Sequence, residues 1–298
     1  MEPITYISFA LLTIIPIVMF SIHAYNETEG KSSWRTILLI IIGYLTIITF
    51  FYDILENNSE GQIYILKRVY IGLTAFIPAV AYMLYITAFD SKKPEPMLLL
   101  LLTAFIGCIA AFTVTAIGLP IYHGGFYSEI NYGIVDSFKI GFLKIAIPSE
   151  AIKWLFLLIF LSINKYYDEY LDGIVYSVCL ALGFACVLGI GYMLDFVKFS
   201  FPTFVFKGLV TALILIPTHM MAGTVMGYFF GLARKRNKIL YITTALGTAI
   251  LVDGLICTML ALMGGHWGYY SIIGIVLLIL ALAFYRQVWH LMKLDNIN

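Results

Sequence analysis

Nine runs of predominantly apolar residues, each long enough to cross a lipid bilayer, dominate this sequence. A bilayer core about 30 Å thick requires roughly 20 helical residues, because each residue rises 1.5 Å along the helix axis. The runs cover residues 4–25, 36–55, 69–89, 97–119, 139–163, 173–196, 205–233, 239–263 and 271–290. Hydrophobic residues make up 61% of the chain and charged residues 12%, against about 45–50% and about 25% in soluble domains. We therefore predict an all-α, polytopic membrane protein with about nine transmembrane helices.

The hydrogen-bonding needs of the backbone and the charge of the chain exclude a β-barrel and a nucleic-acid-binding protein. Backbone groups that face lipid must be hydrogen bonded within their own segment or in a closed barrel, and no alternating ten-residue pattern typical of barrel strands recurs. Lys plus Arg number 18 and Asp plus Glu 17, so no basic surface is available to neutralise phosphates. We expect a chain surrounded by the lipid bilayer, with no nucleic-acid partner.

The distribution of Lys and Arg between the short loops predicts the orientation. With the N-terminus outside, the inner side holds Lys31, Arg35, Lys92, Lys93, Lys165, Arg234, Lys235, Arg236, Lys238, Arg286 and Lys293. The outer side holds only Lys67, Arg68, Lys139, Lys198 and Lys207. This excess predicts an outer N-terminus and a cytoplasmic C-terminus. We divide the chain into four N-terminal helices with an outer loop (1–138), four core helices (139–263), and a last helix with a cytoplasmic tail (264–298).

Ionisable side chains inside the predicted spans mark a candidate functional site, because each costs roughly 2.5–3.5 kcal/mol to insert. Glu150, His219 and Asp253 lie about 11, 14 and 10 residues from the nearer ends of their spans, within roughly 5 Å of the bilayer midplane. Lys153 follows Glu150 by three residues, so the two share one helix face and can neutralise each other. Taken singly, each residue also fits a structural role, as an ion pair or an interhelical hydrogen bond. Their common depth favours a buried reaction or transport site.

Four segments between residues 140 and 263 carry motifs. They are Ser-Glu-Ala-Ile-Lys at 149–153, Asp-Glu-Tyr-Leu-Asp-Gly-Ile-Val-Tyr at 168–176, Pro-Thr-His at 217–219 and Asp-Gly-Leu-Ile-Cys at 253–257. They resemble the Glu-Glu-x-x-Lys, Asp-Glu-x-x-Asp-Gly-Ile-Val-Tyr, Pro-x-His and His-Gly-Leu-x-Asp motifs of the PrsW family of intramembrane proteases. That family belongs to the wider superfamily of CAAX-processing endopeptidases.

The chain departs from the family motifs at several chemically important positions. Ser149 and Leu188 stand where the family has glutamates, Asp253 replaces a histidine, and Cys257 replaces an aspartate. Leu188 can neither bind a metal nor transfer a proton. The motif segments are therefore well preserved overall, while several of the residues that could take part in catalysis are replaced.

The resemblance implies a catalytic set of Glu150, His219 and Asp253, supported by Lys153 and Asp172. The same three catalytic residues are the candidate ligands of a divalent metal such as zinc, which takes nitrogen and oxygen donors. Without a metal, Glu150 and Asp253 can share one proton in a dry site, one acting as the base.

Three functions remain open from the sequence. The resemblance implies a protease of the bacterial cytoplasmic membrane that cleaves membrane-anchored proteins such as anti-sigma factors, impaired here by the motif substitutions. The second is a non-catalytic relative that binds a membrane partner, which the substitutions favour. The third is a transporter, since charges at the midplane beside proline-broken helices also occur at transport sites.

The basic loop at 234–238 generates a test of the orientation. In intact cells of a bacterial host, Lys235→Cys should resist a membrane-impermeant maleimide and react only after permeabilisation. Lys198→Cys, in a predicted outer loop, is the matched control and should react in intact cells. Labelling of Lys235→Cys from outside would reverse the orientation.

Overall fold

Seven long helices form the part of the chain that this structure, a computed structural model, describes. It describes residues 60–87, 89–90, 93–116, 133–195, 201–234, 238–262 and 270–297. In chain order the helices are α1 (Glu60–Thr87), α2 (Met97–Ala116), α3 (Ile134–Ile163), α4 (Asp172–Asp195), α5 (201–233), α6 (Lys238–Leu262) and α7 (Tyr270–Ile297). Each is long and apolar enough to cross a membrane, and no strand occurs among these residues.

The predicted all-α fold is confirmed, and the chain is an integral membrane protein. The seven helices correspond to the third to ninth predicted runs, with α3 beginning at residue 134 rather than at 139. The first two predicted spans, at 4–25 and 36–55, lie outside the described residues. The division of the chain at residues 138 and 263 stays a prediction.

Helix α4 is the central element of the bundle. Within its apolar stretch 89% of the residues are buried, against 33% for α2 and 24% for α7. It packs along α5, α2 and α1. Leu98, Phe105 and Phe112 of α2 are exposed large apolar side chains, as expected of a helix that faces lipid. The helices around α4 therefore enclose a buried interior in which polar groups must find their partners within the protein.

Glycines allow α4 and α5 to cross in close contact. A Cβ atom added to Gly227 of α5 would lie 2.3 Å from the Gly173 carbonyl oxygen of α4, and one added to Gly173 would lie 2.5 Å from the Gly227 oxygen. Both separations are far inside van der Waals contact. Gly107 of α2 and Gly183 of α4 make a second crossing of this kind. Small residues at helix crossings are the usual means of close packing in a membrane.

Two helices contain a π-helical stretch directly before a proline. In α3 the stretch Lys139–Ala146 precedes Pro148, and in α5 the stretch Thr211–Leu215 precedes Pro217. Proline has no backbone N–H to donate, and a π-helical turn is one way a helix accommodates an interrupted hydrogen-bond ladder. Each proline lies two residues before a candidate site residue.

A hydroxyl side chain follows each proline and donates a hydrogen bond to a backbone carbonyl one turn earlier. The Ser149 hydroxyl donates to the Ile145 carbonyl oxygen at 2.6 Å. The Thr218 hydroxyl donates to the Ile214 carbonyl oxygen at 2.7 Å. Back-bonding of this kind often accompanies a bend in a helix.

The glycine crossing predicts a position-specific loss of stability. Gly227→Ala should destabilise the protein by about 1–3 kcal/mol, because its methyl group would overlap backbone atoms that cannot move independently. Gly247→Ala is the matched control, since a Cβ there meets no atom within 4 Å. It should be neutral or stabilising by about 0.5–1 kcal/mol, as expected for alanine in a helix. Thermal unfolding in detergent, followed by circular dichroism, measures both. Equal midpoints for the two variants would contradict the crossing.

Candidate active site

Three helices bring the predicted site residues to one buried point. Glu150 of α3, His219 of α5 and Asp253 of α6 each offer an oxygen or nitrogen atom, and these atoms all lie within 4.8 Å of one another. All three side chains are buried. The structure thus brings together residues that are separated by as many as 103 positions in the sequence.

Lys153 lies against two members of this group. Its Nζ atom forms an ion pair with Glu150 Oε1 and lies 3.3 Å from His219 Nδ1. An ammonium group only donates hydrogen bonds, so the donor and acceptor roles in this contact depend on which imidazole nitrogen carries the proton. The lysine is 1% exposed, so its charge depends on these neighbours for compensation.

Asp253 receives polar contacts from three elements. Its Oδ2 lies 3.2 Å from the Ser149 hydroxyl, and its Oδ1 lies 3.5 Å from Cys257 Sγ and 3.7 Å from His219 Nδ1. Ser149 has one hydroxyl proton, which the Ile145 carbonyl oxygen also accepts. The substituted motif positions 149 and 257 therefore still touch the carboxylate at 253.

One oxygen of the cluster has no described partner. Glu150 Oε2 is fully buried and accepts no hydrogen bond from the described residues. A buried acceptor without a donor is costly, and a proton or a metal ion would relieve that cost. Two carboxylates and an imidazole nitrogen are ligand types that zinc takes, and three protein ligands are typical of its catalytic sites. The donor set therefore fits a divalent metal such as zinc.

Aromatic and aliphatic side chains of α4 form the wall beside the polar cluster. The Phe184 ring lies edge-on to His219 with 5.4 Å between ring centroids, and Lys153 Nζ lies 4.9 Å from its centre. Leu188, one turn further along α4, is buried in an apolar cluster that includes Phe184 and Val114. Where the family motif has a carboxylate, this chain therefore places an apolar side chain.

Phe184 has no role in the sequence-based predictions. It belongs to the segment Gly-Phe-Ala at 183–185 and precedes Leu188 by four residues, a spacing that places both side chains on one helix face.

Asp172, the supporting residue that the resemblance implies, lies away from this group. It begins α4, whereas Phe184 lies 12 residues further along that helix, about 18 Å away at 1.5 Å per residue. Its Oδ2 accepts hydrogen bonds from the backbone N–H groups of Asp168 and Glu169 at 2.8 and 2.6 Å. Asp172 thus holds the loop that enters α4 through hydrogen bonds to its backbone. Its motif lies at the end of the helix, whereas the cluster lies near the middle of the bundle.

Comparisons with known proteins point to one family. Residues 95–285 match the model of a family described as PrsW family intramembrane metalloprotease. Protease PrsW of Bacillus subtilis (strain 168) is 28% identical over 199 residues, which cover 65% of this chain and 84% of that protein. Protease PrsW of Clostridioides difficile (strain 630) is 30% identical over 193 residues, which cover 61% and 75% of the two chains. No solved structure gives a significant match.

The buried Lys153–Glu150 pair predicts an asymmetric effect of substitution. Lys153→Met should lower the free energy of unfolding by about 3–5 kcal/mol, because it leaves the Glu150 carboxylate buried without its counter-charge. The double variant Glu150→Gln with Lys153→Met removes both charges and should be more stable than Lys153→Met alone. Thermal unfolding in detergent measures the series. A double variant less stable than the single one would contradict the pairing.

Proposed function

This chain belongs to the PrsW family of intramembrane metalloproteases, and we propose that it cleaves membrane-anchored proteins at a metal centre formed by Glu150, His219 and Asp253. The observation that carries the proposal is the convergence of these three side chains, from three different helices, at one buried point. Peptide hydrolysis needs a water molecule, a base and a group that polarises the carbonyl. The cluster offers three metal ligands at one buried point, and a bound metal would take the place of the base and polarise the carbonyl.

Zinc is the metal that we propose for this centre. Two carboxylates and one imidazole would hold it, and Glu150 Oε2, which accepts no hydrogen bond from the described residues, is one oxygen that could bind it. When bound, such an ion supplies Lewis acidity, which activates water and polarises a peptide carbonyl.

The surrounding residues position the catalytic groups. Lys153 neutralises Glu150 and lies against the imidazole of His219. The edge-on Phe184 ring restricts the orientation of that imidazole. The Ser149 hydroxyl lies against Asp253 and orients its carboxylate. Ligands held in place by such contacts need little rearrangement when substrate arrives.

The family resemblance supports a proposal for the substrate class and the compartment. We propose single-span, membrane-tethered regulators such as anti-sigma factors as substrates, in the cytoplasmic membrane of a bacterium. The PrsW relatives named above come from bacteria. The proposed orientation has the N-terminus outside and the C-terminus in the cytoplasm, in keeping with the excess of Lys and Arg in the inner loops.

A second candidate function is a non-catalytic membrane protein that binds a partner at the same place. Lys153 contacts both Glu150 and His219, so an internal cation already satisfies part of the cluster. Leu188 presents an apolar surface where the family motif has a carboxylate. Both features are compatible with a family member that keeps the fold but has lost catalytic activity. Family membership gives no support to the transporter alternative.

Reconstituted proteolysis separates the two candidates. Cleavage of a tagged single-span substrate in proteoliposomes should be slow for the unmodified chain and at least about 100-fold slower for Glu150→Gln. Leu188→Glu combined with Asp253→His should raise the rate, because it restores a carboxylate and a nitrogen ligand. Equal cleavage by all three would remove this cluster from catalysis. If only the double variant cleaves, the natural chain is the non-catalytic protein.

Metal content gives a readout that does not depend on activity. Elemental analysis of the purified chain should find about one zinc ion per molecule, and His219→Ala should lose it. His290→Ala is the matched control, because this exposed histidine of α7 contacts Tyr228 and lies outside the cluster. Equal zinc content in the two variants would exclude His219 as a ligand.

A further inference from the structure

A second group of carboxylates lies at one end of the bundle. Asp90 and Glu95 belong to the short connection between α1 and α2, and Asp172 is the first residue of α4. One oxygen from each lies within 4.8 Å of the others. This acidic cluster is about 18 Å from the level of Phe184, so it is separate from the candidate active site.

The buried oxygen of Asp90 points to a missing ligand. Asp90 is only 3% exposed, and its Oδ2 accepts the backbone N–H of Glu95 at 3.1 Å. Its Oδ1 is buried and accepts no hydrogen bond from the described residues. A proton, a water molecule or a cation would satisfy a carboxylate oxygen in that state.

The other two members are held firmly in place. The Tyr176 hydroxyl of α4 donates to Glu95 Oε2, and two backbone N–H groups donate to Asp172. These contacts fix the carboxylates of two separate chain segments against each other. Because their positions are already fixed, a bound ion would need little reorganisation of the protein.

The surrounding charges increase the demand for a cation. Further carboxylates that interact with the cluster are Asp168, Glu169 and Asp295. The exposed Lys93 pairs with Asp168 at 3.3 Å, and no salt bridge among the described residues reaches Asp90, Glu95 or Asp172. Burial, together with these neighbouring charges, raises the pKa of Asp90 to about 6 and that of Glu95 to about 7.

We propose that Asp90, Glu95 and Asp172 bind one hard divalent cation, Mg²⁺ or Ca²⁺, which clamps the α1–α2 connection to the beginning of α4. All three donors are carboxylate oxygens, which these cations prefer, and the cluster has no nitrogen or sulfur donor of the kind that favours zinc. Water molecules complete the coordination of such ions. Since α4 is the central helix, the clamp stabilises the whole bundle at the membrane surface.

Thermal unfolding of the full chain in detergent tests this clamp. After treatment with a chelator and its removal, addition of Mg²⁺ or Ca²⁺ should raise the unfolding midpoint saturably. We expect roughly 5 °C at a hundredfold excess over the dissociation constant. The two cations, added separately, identify which one the cluster prefers.

Substitution at the acidic cluster should change which protein is more stable, the variant or the unmodified chain, when the cation is added. Without cation, Asp90→Asn should be as stable as the unmodified chain or more stable, because it removes one buried repulsive charge. With cation, it should gain at most a tenth of the shift and become the less stable protein. Glu95→Gln provides a second variant in case Asp90→Asn fails to fold. Asp136→Asn, which changes an exposed carboxylate paired with Lys139, is the matched control and should keep the full shift.

The same series distinguishes this cluster from the candidate active site. Asp253→Asn should retain the full response to Mg²⁺ or Ca²⁺, because it changes only the other group of carboxylates. An unchanged shift in both Asp90→Asn and Glu95→Gln would overturn the proposal. The absence of any saturable shift in the unmodified chain with either cation would overturn it as well.

Discussion

The buried contact between Lys153 and Glu150 is the interaction on which the rest of the polar interior depends. A lysine that is 1% exposed and a glutamate with no exposure cannot be solvated by water, so each requires the other. The lysine also lies against His219 and the Phe184 ring, which connects α3 to α5 and α4. In a bilayer this requirement is stronger than in water, because lipid supplies no hydrogen-bond partner. The ionisable residues are therefore concentrated where several helices meet.

The glycine crossings allow the helices that carry these ionisable residues to pack closely together. Gly173 and Gly227 let α4 and α5 approach until their backbones touch, and Gly107 and Gly183 do the same for α2 and α4. With α4 held between its neighbours, α5 lies close enough to α3 for His219 to reach Lys153. The π-helical stretches before Pro148 and Pro217 interrupt the regular helix just ahead of the site residues. Close packing and local irregularity thus act together to place the buried polar groups.

The two carboxylate groups differ in depth and in donor chemistry. The deep group combines oxygen donors with an imidazole nitrogen, which suits a transition metal. The group at the end of the bundle has oxygen donors alone, which suits Mg²⁺ or Ca²⁺. Each contains one buried carboxylate oxygen without a described partner, on Glu150 and on Asp90. The donor atoms of each cluster, and not its depth in the bundle, therefore indicate which ion it suits.

The sequence by itself determined the helical class, the seven described spans and the common depth of Glu150, His219 and Asp253, because helix length and depth both follow from a fixed rise per residue. It did not determine which faces of the helices meet, since rotation and neighbour choice depend on packing between distant segments. For that reason the contact of Ser149 with Asp253 and the placement of Phe184 against His219 appear only in the tertiary structure. The proximity of Asp172 to Asp90 and Glu95 likewise appears only in the tertiary structure, because it depends on how the α1–α2 connection packs against the start of α4.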